Sequence, residues 1–431
     1  MSSILICSTP VHGHVTPLLA VTRTLVAAGH EVRFLTGQRY RDAVEAAGAR
    51  FLPLPDAADY DDRSMDTAFP RRVGLTGPAG IRYDMIEIFL RPMRAQAAAL
   101  RGALTAPTDL IMTESMFTGI LSLLVTPRAE RPPIVNLGII PLGIKSRDTA
   151  PFGLGLKPMP GPVGRLRDSF NTFVAEKIIF APVQKFADEQ MLAITGKHMP
   201  GFFLNWPSLA DAIVQFTVPE FEYPRSDLPD MVHFVGPVST SAPNAGALPE
   251  WWGELDGSRP VVHVSQGTVA NQDYEELILP TMRGLAGDDV IVVVSTGGRP
   301  ISSVPERVPA NVRLAEYLPY DELLPRVDVM VTNGGYGGVH FALTHGVPLV
   351  VAGATEDKIE VSARVEWSGV GVNLRTNRPS DTAVAAGVRR VLADNSFRDA
   401  ANRIGASIAR APGVEGILAI VDRLSAENVR S

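Results

Sequence analysis

Val327-Asp328-Val329-Met330-Val331-Thr332-Asn333-Gly334-Gly335-Tyr336-Gly337-Gly338 decides the fold. A β-branched run, Val327–Val331, gives way to a turn with four glycines. A helical pattern follows and is capped by Gly346 in His345-Gly346-Val347-Pro348. A strand that feeds a helix through such a turn exposes backbone N–H groups at the helix N-terminus, where the dipole favours negative charge. Gly337 and Gly338 let an anion approach the backbone closely, and a diphosphate is the natural guest. The other reading is a glycine turn needed only for tight strand–helix packing. The segment is neither a Walker loop, since no Lys-Ser/Thr pair follows, nor G-x-G-x-x-G, since the spacing ends at His340.

The same rhythm extends in both directions. Val261–Ser265 ends in Gln266-Gly267-Thr268, and Val290–Val294 ends in Ser295-Thr296-Gly297-Gly298; Val347–Val351 is a further strand. Ligands of open α/β sheets bind beyond the carboxyl ends of strands, so these turns are expected to share one edge and face one crevice. The N-terminal half repeats the pattern. Ile4–Cys7 is a buried strand, and Leu18, Val21 and Leu25 mark one helix face closed by Gly29. Strands follow at Glu31–Leu35, Asp109–Met112 and Ile134–Leu137. Between the halves, residues 217–260 carry seven prolines and break the alternation. The fold class is therefore α/β, with two doubly wound Rossmann-like domains facing a central crevice. The expected divisions are residues 1–216, a connection at 217–260, a second domain at 261–410 and a C-terminal helix at 411–431 that crosses back to the first domain. One long surface loop within a single domain is the alternative for 217–260.

The chain has 431 residues, with 40 Lys and Arg against 46 Asp and Glu, a net charge of −6. Its 45% hydrophobic and 20% charged content is that of a globular protein and excludes disorder as the main state. The acidic balance argues against a nucleic-acid partner. The single cysteine, Cys7, excludes an internal disulfide framework and a Cys-rich zinc site. No Lys or Arg precedes Ile4, the first being Arg23, and no apolar run approaches the roughly 20 residues of a membrane span. The expected location is the cytoplasm, with no membrane partner.

Four motifs together, Tyr317-Leu318-Pro319-Tyr320, Asn333–Gly338, Gly346-Val347-Pro348 and Asp357-Lys358, give the chain a recognisable signature. In order and spacing it resembles that of family 1 glycosyltransferases of the GT-B fold, in the bacterial macrolide and antibiotic branch. The stretch Ser146–Gly153 and the Asn-Gly-Gly-Tyr variant are most similar to actinobacterial enzymes that glycosylate rifamycin-type antibiotics. The resemblance implies that Tyr317 stacks on the nucleotide base and that the Leu318 backbone reads the base edge. It implies that Asn333 and the backbone of Gly334, Gly335, Gly337 and Gly338 hold the diphosphate. Gly13, Gly267, Thr268, Thr296 and Gly297 would close the donor site, and Asp357 would accept hydrogen bonds from sugar hydroxyls. Four departures stand out. Asn333 replaces the family's His, Gly338 its Ser or Thr, Phe341 its ribose-binding Glu, and Lys358 its Gln. His340 is the expected stand-in for the missing Glu. Lys358 has three readings: a hexose contact, a salt bridge to Asp357, or a preference for an acidic sugar. UDP-glucose is the expected donor.

Pro10-Val11-His12-Gly13-His14-Val15-Thr16-Pro17 follows the first strand and opens a helix, which places His14 in the crevice. An imidazole with an ordinary pKa near 6.5 suits a general base at neutral pH. The family's loop, Gly-His-x-x-Pro, maps onto Gly13–Pro17 and its base onto His14; His12 falls on a variable position. The other reading of His14 is a helix cap. Glu114 ends the strand at 109–113, where the family has Asp, and is expected to orient His14; its other reading is a cap for the helix near Ser115. Single displacement implies inversion, and a diphosphate held by helix N-termini and backbone amides is expected to need no metal and no cofactor, with a UDP-sugar as co-substrate and a hydroxylated small molecule as acceptor. Met85, Phe89 and Phe202, in segments 81–93 and 167–206, are the candidate acceptor contacts, although an ordinary core needs such residues too. The rival readings are a nucleotide-sugar epimerase and a non-catalytic nucleotide-sugar-binding partner protein.

Overall fold

In a computed structural model, the β-branched runs become two all-parallel sheets, each covered by helices on both faces. The structure describes residues 1–75, 77–238, 248–267, 271 and 273–430, the last three by backbone alone. The first sheet contains β1 (Ser3–Cys7), β2 (Glu31–Thr36), β3 (Arg50–Pro53), β4 (Leu110–Glu114), β5 (Ile134–Gly138), β6 (Ala212–Gln215) and β7 (Val232–Phe234), in the order β3-β2-β1-β4-β5-β6-β7. The second contains β8 (Val261–Ser265), β9 (Ile291–Ser295), β10 (Val312–Ala315), β11 (Val329–Thr332), β12 (Leu349–Val351) and β13 (Gly371–Asn373), in the order β10-β9-β8-β11-β12-β13. Central strands such as Leu110–Glu114 and Ile291–Ser295 are buried at every position. Continuous apolar runs of this kind are what a sheet covered on both faces requires.

Chain order reverses between β1 and β4 in one sheet and between β8 and β11 in the other. In register, Cys7 lies opposite Thr113, and Ser265 lies opposite Thr332. The loops after these four strands therefore open at the two switch points, where a doubly wound sheet binds ligand.

The stretch 217–260 does more than connect. Val218, Phe221, Trp252 and Leu255 pack into the core of the second domain, while Val232–Phe234 returns to the first sheet as its edge strand. Of the seven prolines, those at 229 and 237 stand on either side of β7, and Pro243 lies outside the described residues. An edge strand tolerates proline at its ends, so the prolines punctuate a strand rather than exclude one. The 216/217 boundary moves accordingly, since the first domain recruits residues beyond it. The short strands β3, β6, β7, β10 and β13 went unread because three or four residues carry little periodicity.

The last helix, Gly413–Arg430, places Ile417, Ile420, Val421 and Leu424 in the core of the first domain. Their 3-4-7 spacing forms a single apolar stripe. Gly413 N–H donates to Val235 O at 2.8 Å, which anchors the crossing. Among the described residues, no single helix is long and apolar enough to cross a membrane.

A buried ionic group also joins the domains. The Arg364 guanidinium, on the helix Lys358–Trp367, lies 2.9 Å from Glu222 and 2.9 Å from Glu360, with all three side chains nearly inaccessible. Glu222 Oε1 accepts from Leu142 N–H at 2.9 Å. Glu360 Oε1 accepts from Gly153 and Gly155 N–H at 2.8 and 2.9 Å. A loop of the first domain is thus clasped to a helix of the second.

Candidate active site

The helix His12–Ala27 begins directly after the β1 loop, with Val11 at its N-cap. His12 backbone N–H donates to Asp62 at 2.7 Å, and Asp62 is itself buried against Arg39 and Tyr40. This pins the first turn, so His14 projects at the carboxyl end of the sheet. His14 Nδ1 lies 3.0 Å from Glu114 Oε2, off the line of an ideal hydrogen bond. Its ring stacks on Phe89, with centroids 6.2 Å apart and planes at 19°. Phe89 sits in a π-helical turn, Asp84–Leu90, a distortion often found at functional sites.

Glu114 accepts backbone N–H groups from Thr9 at 3.0 Å and Met116 at 2.5 Å. Burial pushes this carboxyl up, but the imidazole and the two amides outweigh it, and the group stays below the usual carboxylate range. Glu114 Oε2 faces His14 and also accepts from Met116 N–H in the turn after β4, but the helix expected near Ser115 is absent, and the first helical turn after β4 is the 3-10 turn Thr118–Ile120. Burial disfavours the charged imidazole of His14, yet Glu114 and, more distantly, Asp357 and Glu356 outweigh it and raise its pKa. Asp357 and Glu356 come from the other domain, so His14 sits within the electrostatic reach of both halves. With Nδ1 turned to a carboxylate, Nε2 is left as the acceptor.

The second domain presents three turns at one edge. Gly267, Gly297 and Gly334 all take positive φ. A side chain at Gly297 would put Cβ 2.2 Å from Gly267 O, so the backbones of these two turns pack directly against each other. Asn271 Nδ2 donates to Thr296 O at 2.9 Å and stitches the same pair. The helix Tyr336–Thr344 starts at Gly335, and its first amides, around Gly337 and Gly338, point at the crevice end of β11 as helix geometry requires. Tyr317 is 58% exposed, its ring lying against the backbone of Gly298. The Leu318 side chain is buried in the core of the second domain.

Asn333 Nδ2 donates to Gln266 O at 2.7 Å and joins the β8 and β11 turns, a bond that uses one of its two amide hydrogens. One expectation is corrected. His340 does not replace the missing Glu at 341. It is buried, with Nδ1 2.8 Å from Tyr336 O and Nε2 2.7 Å from Thr217 Oγ1, and burial lowers its pKa to about 4. Phe341 packs edge-on against Tyr320. The helical period puts both residues on the buried side, and that side outweighs their proximity to the glycine turn.

Of the acceptor candidates, only Phe89 meets His14. Met85 and Phe202 join Phe180, Phe203 and Leu90 in a separate apolar cluster. Gly13 is exposed at the start of the first helix, with open space where a side chain would stand. Thr268 lies outside the described residues. Among the described residues, no three His, Cys, Asp or Glu side chains converge as metal ligands.

Glu356 and Asp357 lie between β12 and the helix Lys358–Trp367, which Lys358 opens. Lys358 Nζ pairs with Glu356, whose φ of 56° is left-handed, a conformation non-glycine residues seldom adopt. Arg72, bound to Asp84 at 2.8 Å in the first domain, contributes electrostatically at Glu356. Glu356 and Arg72 were missed in the sequence. Glu356 adjoins the Asp-Lys pair and was within reach, whereas Arg72 lies in an irregular segment with no pattern to mark it.

Residues 281–424 match the model of the erythromycin biosynthesis protein CIII-like C-terminal domain. The chain is 44% identical over 403 residues to 4'-demethylrebeccamycin synthase of Lentzea aerocolonigenes, covering 93% of this chain and 94% of that one. It is 34% identical to UDP-glycosyltransferase 2 of Phaeomoniella chlamydospora, covering 98% and 96%. In fold it matches the crystal structure of the glycosyltransferase of kitacinnamycin, with a TM-score of 0.74 over 98% of both chains at 19% identity.

Proposed function

We propose that this chain, which belongs to the UDP-glycosyltransferase family, moves a glucosyl unit from UDP-glucose to a hydroxyl of a bulky lipophilic natural product, with inversion and without a metal. The observation that carries the reading is the His14–Glu114 contact at the β1/β4 switch point, within reach of Asp357 and Glu356 from the opposite domain. In the reaction, His14 Nε2 takes the acceptor proton as the hydroxyl oxygen attacks C1 of the sugar. The bond from C1 to the β-phosphate oxygen breaks, and UDP leaves with the electron pair. Glu114 stabilises the imidazolium that forms. Attack opposite the leaving group turns an α-linked donor into a β-linked product.

The donor half is read from the three glycine turns. Backbone amides at the start of the helix Tyr336–Thr344 receive the diphosphate, Tyr317 receives the base, and Asp357 accepts from sugar hydroxyls. An exposed ring resting on a glycine backbone is a ready stacking platform. Tyr317→Ala is expected to raise KM for the UDP-sugar roughly 5- to 100-fold, the worth of one base–aromatic stack, with little change in kcat. Steady-state kinetics at varied donor check this.

The defining experiment offers UDP-glucose, UDP-glucuronate and TDP-glucose with a panel of acceptors, rifampicin first, then a rebeccamycin-type aglycone, a macrolide and a polyphenol. A mass gain of one hexosyl unit is expected, with a β-anomeric coupling in the proton NMR spectrum. A chelator should leave the rate unchanged. Donor consumption without any acceptor adduct, giving an isomeric UDP-sugar, would favour the epimerase reading instead.

A further inference from the structure

A diphosphate at the Thr332–Gly338 turn brings more negative charge than a helix N-terminus offsets, since the dipole amounts to about half a unit charge. The three turns hold few cations of their own. Among the described residues of 261–267, 291–299 and 327–340, the cationic or titratable basic side chains are His263, Arg299 and His340. His263 is buried between Val293 O at 3.0 Å and Tyr320 OH at 3.1 Å. Arg299 donates to Asn271 O at 2.7 Å and covers the Tyr274 ring. His340 faces Thr217. Asn333 is neutral and bound to Gln266 O.

The ammonium beside this turn belongs to Lys358. A Cβ built on Gly353 would lie 2.8 Å from Lys358 Cβ, and one on Gly334 would lie 3.9 Å from it. The lysine stem therefore rises directly beside the glycine turn. One helical turn further on, Ser362 lies on the same face. Its Oγ is fully buried without a hydrogen-bond partner, 2.9 Å from where a Cβ on Gly334 would stand. Two polar groups of one helix thus converge on the turn, one charged and one unsatisfied. The charge has a temporary partner in Glu356, held next to it by left-handed backbone.

We infer that Lys358 binds the donor's diphosphate and neutralises the departing UDP, and that Glu356 is the counter-ion it holds until the donor arrives. This rests on the nucleotide-sugar reading above and assigns Lys358 to the leaving group rather than to the sugar. As the bond from C1 breaks, its electron pair goes to the β-phosphate oxygen, and the ammonium meets that growing charge by hydrogen bonding without giving up its proton. Burial alone would favour loss of that proton, but Glu356 and Asp357 outweigh burial and keep the amine protonated. Glu356 and Lys358 exchange partners when phosphate enters, so the carboxylate competes with the donor. Arg72, paired with Asp84 in the first domain, also favours the charged form of the Glu356 carboxylate.

Calorimetric titration of the whole enzyme with UDP and with UMP tests this, because the two ligands share base and ribose and differ by one phosphate. Lys358→Gln is expected to weaken UDP about 10- to 100-fold and UMP by much less, so the UDP/UMP ratio collapses. Lys358→Arg should keep most of the ratio. Glu356→Gln should act in the opposite direction and tighten UDP several-fold while leaving UMP nearly unchanged. An unchanged ratio in Lys358→Gln, or no tightening in Glu356→Gln, overturns the assignment. If Lys358→Gln does not fold, as a shifted thermal midpoint would reveal, the Glu356→Gln result decides. Wild-type enzyme that binds UDP normally while Lys358→Gln alters only the ranking of UDP-glucose against UDP-glucuronate would leave the transferase reading standing and make Lys358 a sugar reader. Wild-type enzyme that binds neither UDP nor UMP would overturn the nucleotide-sugar reading and the assignment with it.

Discussion

His14→Ala is expected to lower kcat for transfer to a hydroxyl by about 10²- to 10⁴-fold, the usual worth of a positioned general base, while donor affinity stays near wild type. In the proposed reading the donor is held by the other domain, so removing the imidazole takes away a group that acts only as the hydroxyl is deprotonated. Full turnover in His14→Ala with a hydroxyl acceptor would refute the role. The pH profile offers a second measurement. Glu114, Asp357 and Glu356 together raise the His14 pKa above its ordinary 6.5. Only the neutral imidazole can accept a proton, so kcat/KM should fall as pH drops through that raised value. Glu114→Gln removes the largest raising influence and leaves burial to dominate. Its acid limb should move to lower pH, even though its plateau rate is reduced because the imidazolium loses its counter-charge. A limb that stays in place would mean Glu114 serves the turn after β4 and not the base.

How far the site could be read in the sequence depends on the length scale of each signal. The glycine turns after β8, β9 and β11 were legible because a strand, a turn and a helix start lie within ten residues of one another. His14 and Glu114 are 100 residues apart, but Glu114 ends β4 and His14 lies in the first turn of the helix that follows β1, and the doubly wound order places those two strands side by side. Topology thus supplied what sequence distance hid. His340 was misread for the opposite reason. Both its ring nitrogens are satisfied, by Tyr336 O and by Thr217 Oγ1, and a hydrogen-bond partner beyond another strand leaves no trace in the local pattern. Phe89 was legible as an apolar residue near the site, while its stacking on His14 depends on a π-helical turn that sequence spacing does not reveal.

Arg364→Ala carries the largest expected cost to stability, about 3–5 kcal/mol, because it strands two buried carboxylates. Glu222 and Glu360 each keep backbone donors, from Leu142 and from Gly153 and Gly155, but lose the guanidinium between them, and its packing over the Tyr223 ring goes too. Urea unfolding should show a lower midpoint. Replacing the whole trio with apolar residues, Arg364→Met with Glu222→Leu and Glu360→Leu, should recover much of the loss, since no charge is then left unpaired. It should not recover the rate. Without Glu360 the loop at Gly153–Gly155 loses its acceptor on the second domain, and the helix Lys358–Trp367 is no longer held against the first domain at its middle. That helix begins beside Asp357 and Lys358, so slack in its docking reaches the donor site directly. Apolar packing can restore burial without restoring the distance from His14 to the sugar, and a misplacement of about 1 Å costs roughly 10²-fold in rate. A triple variant that regains both midpoint and kcat would show that the ionic cluster only stabilises, and that the crevice is aligned by the surrounding cores alone.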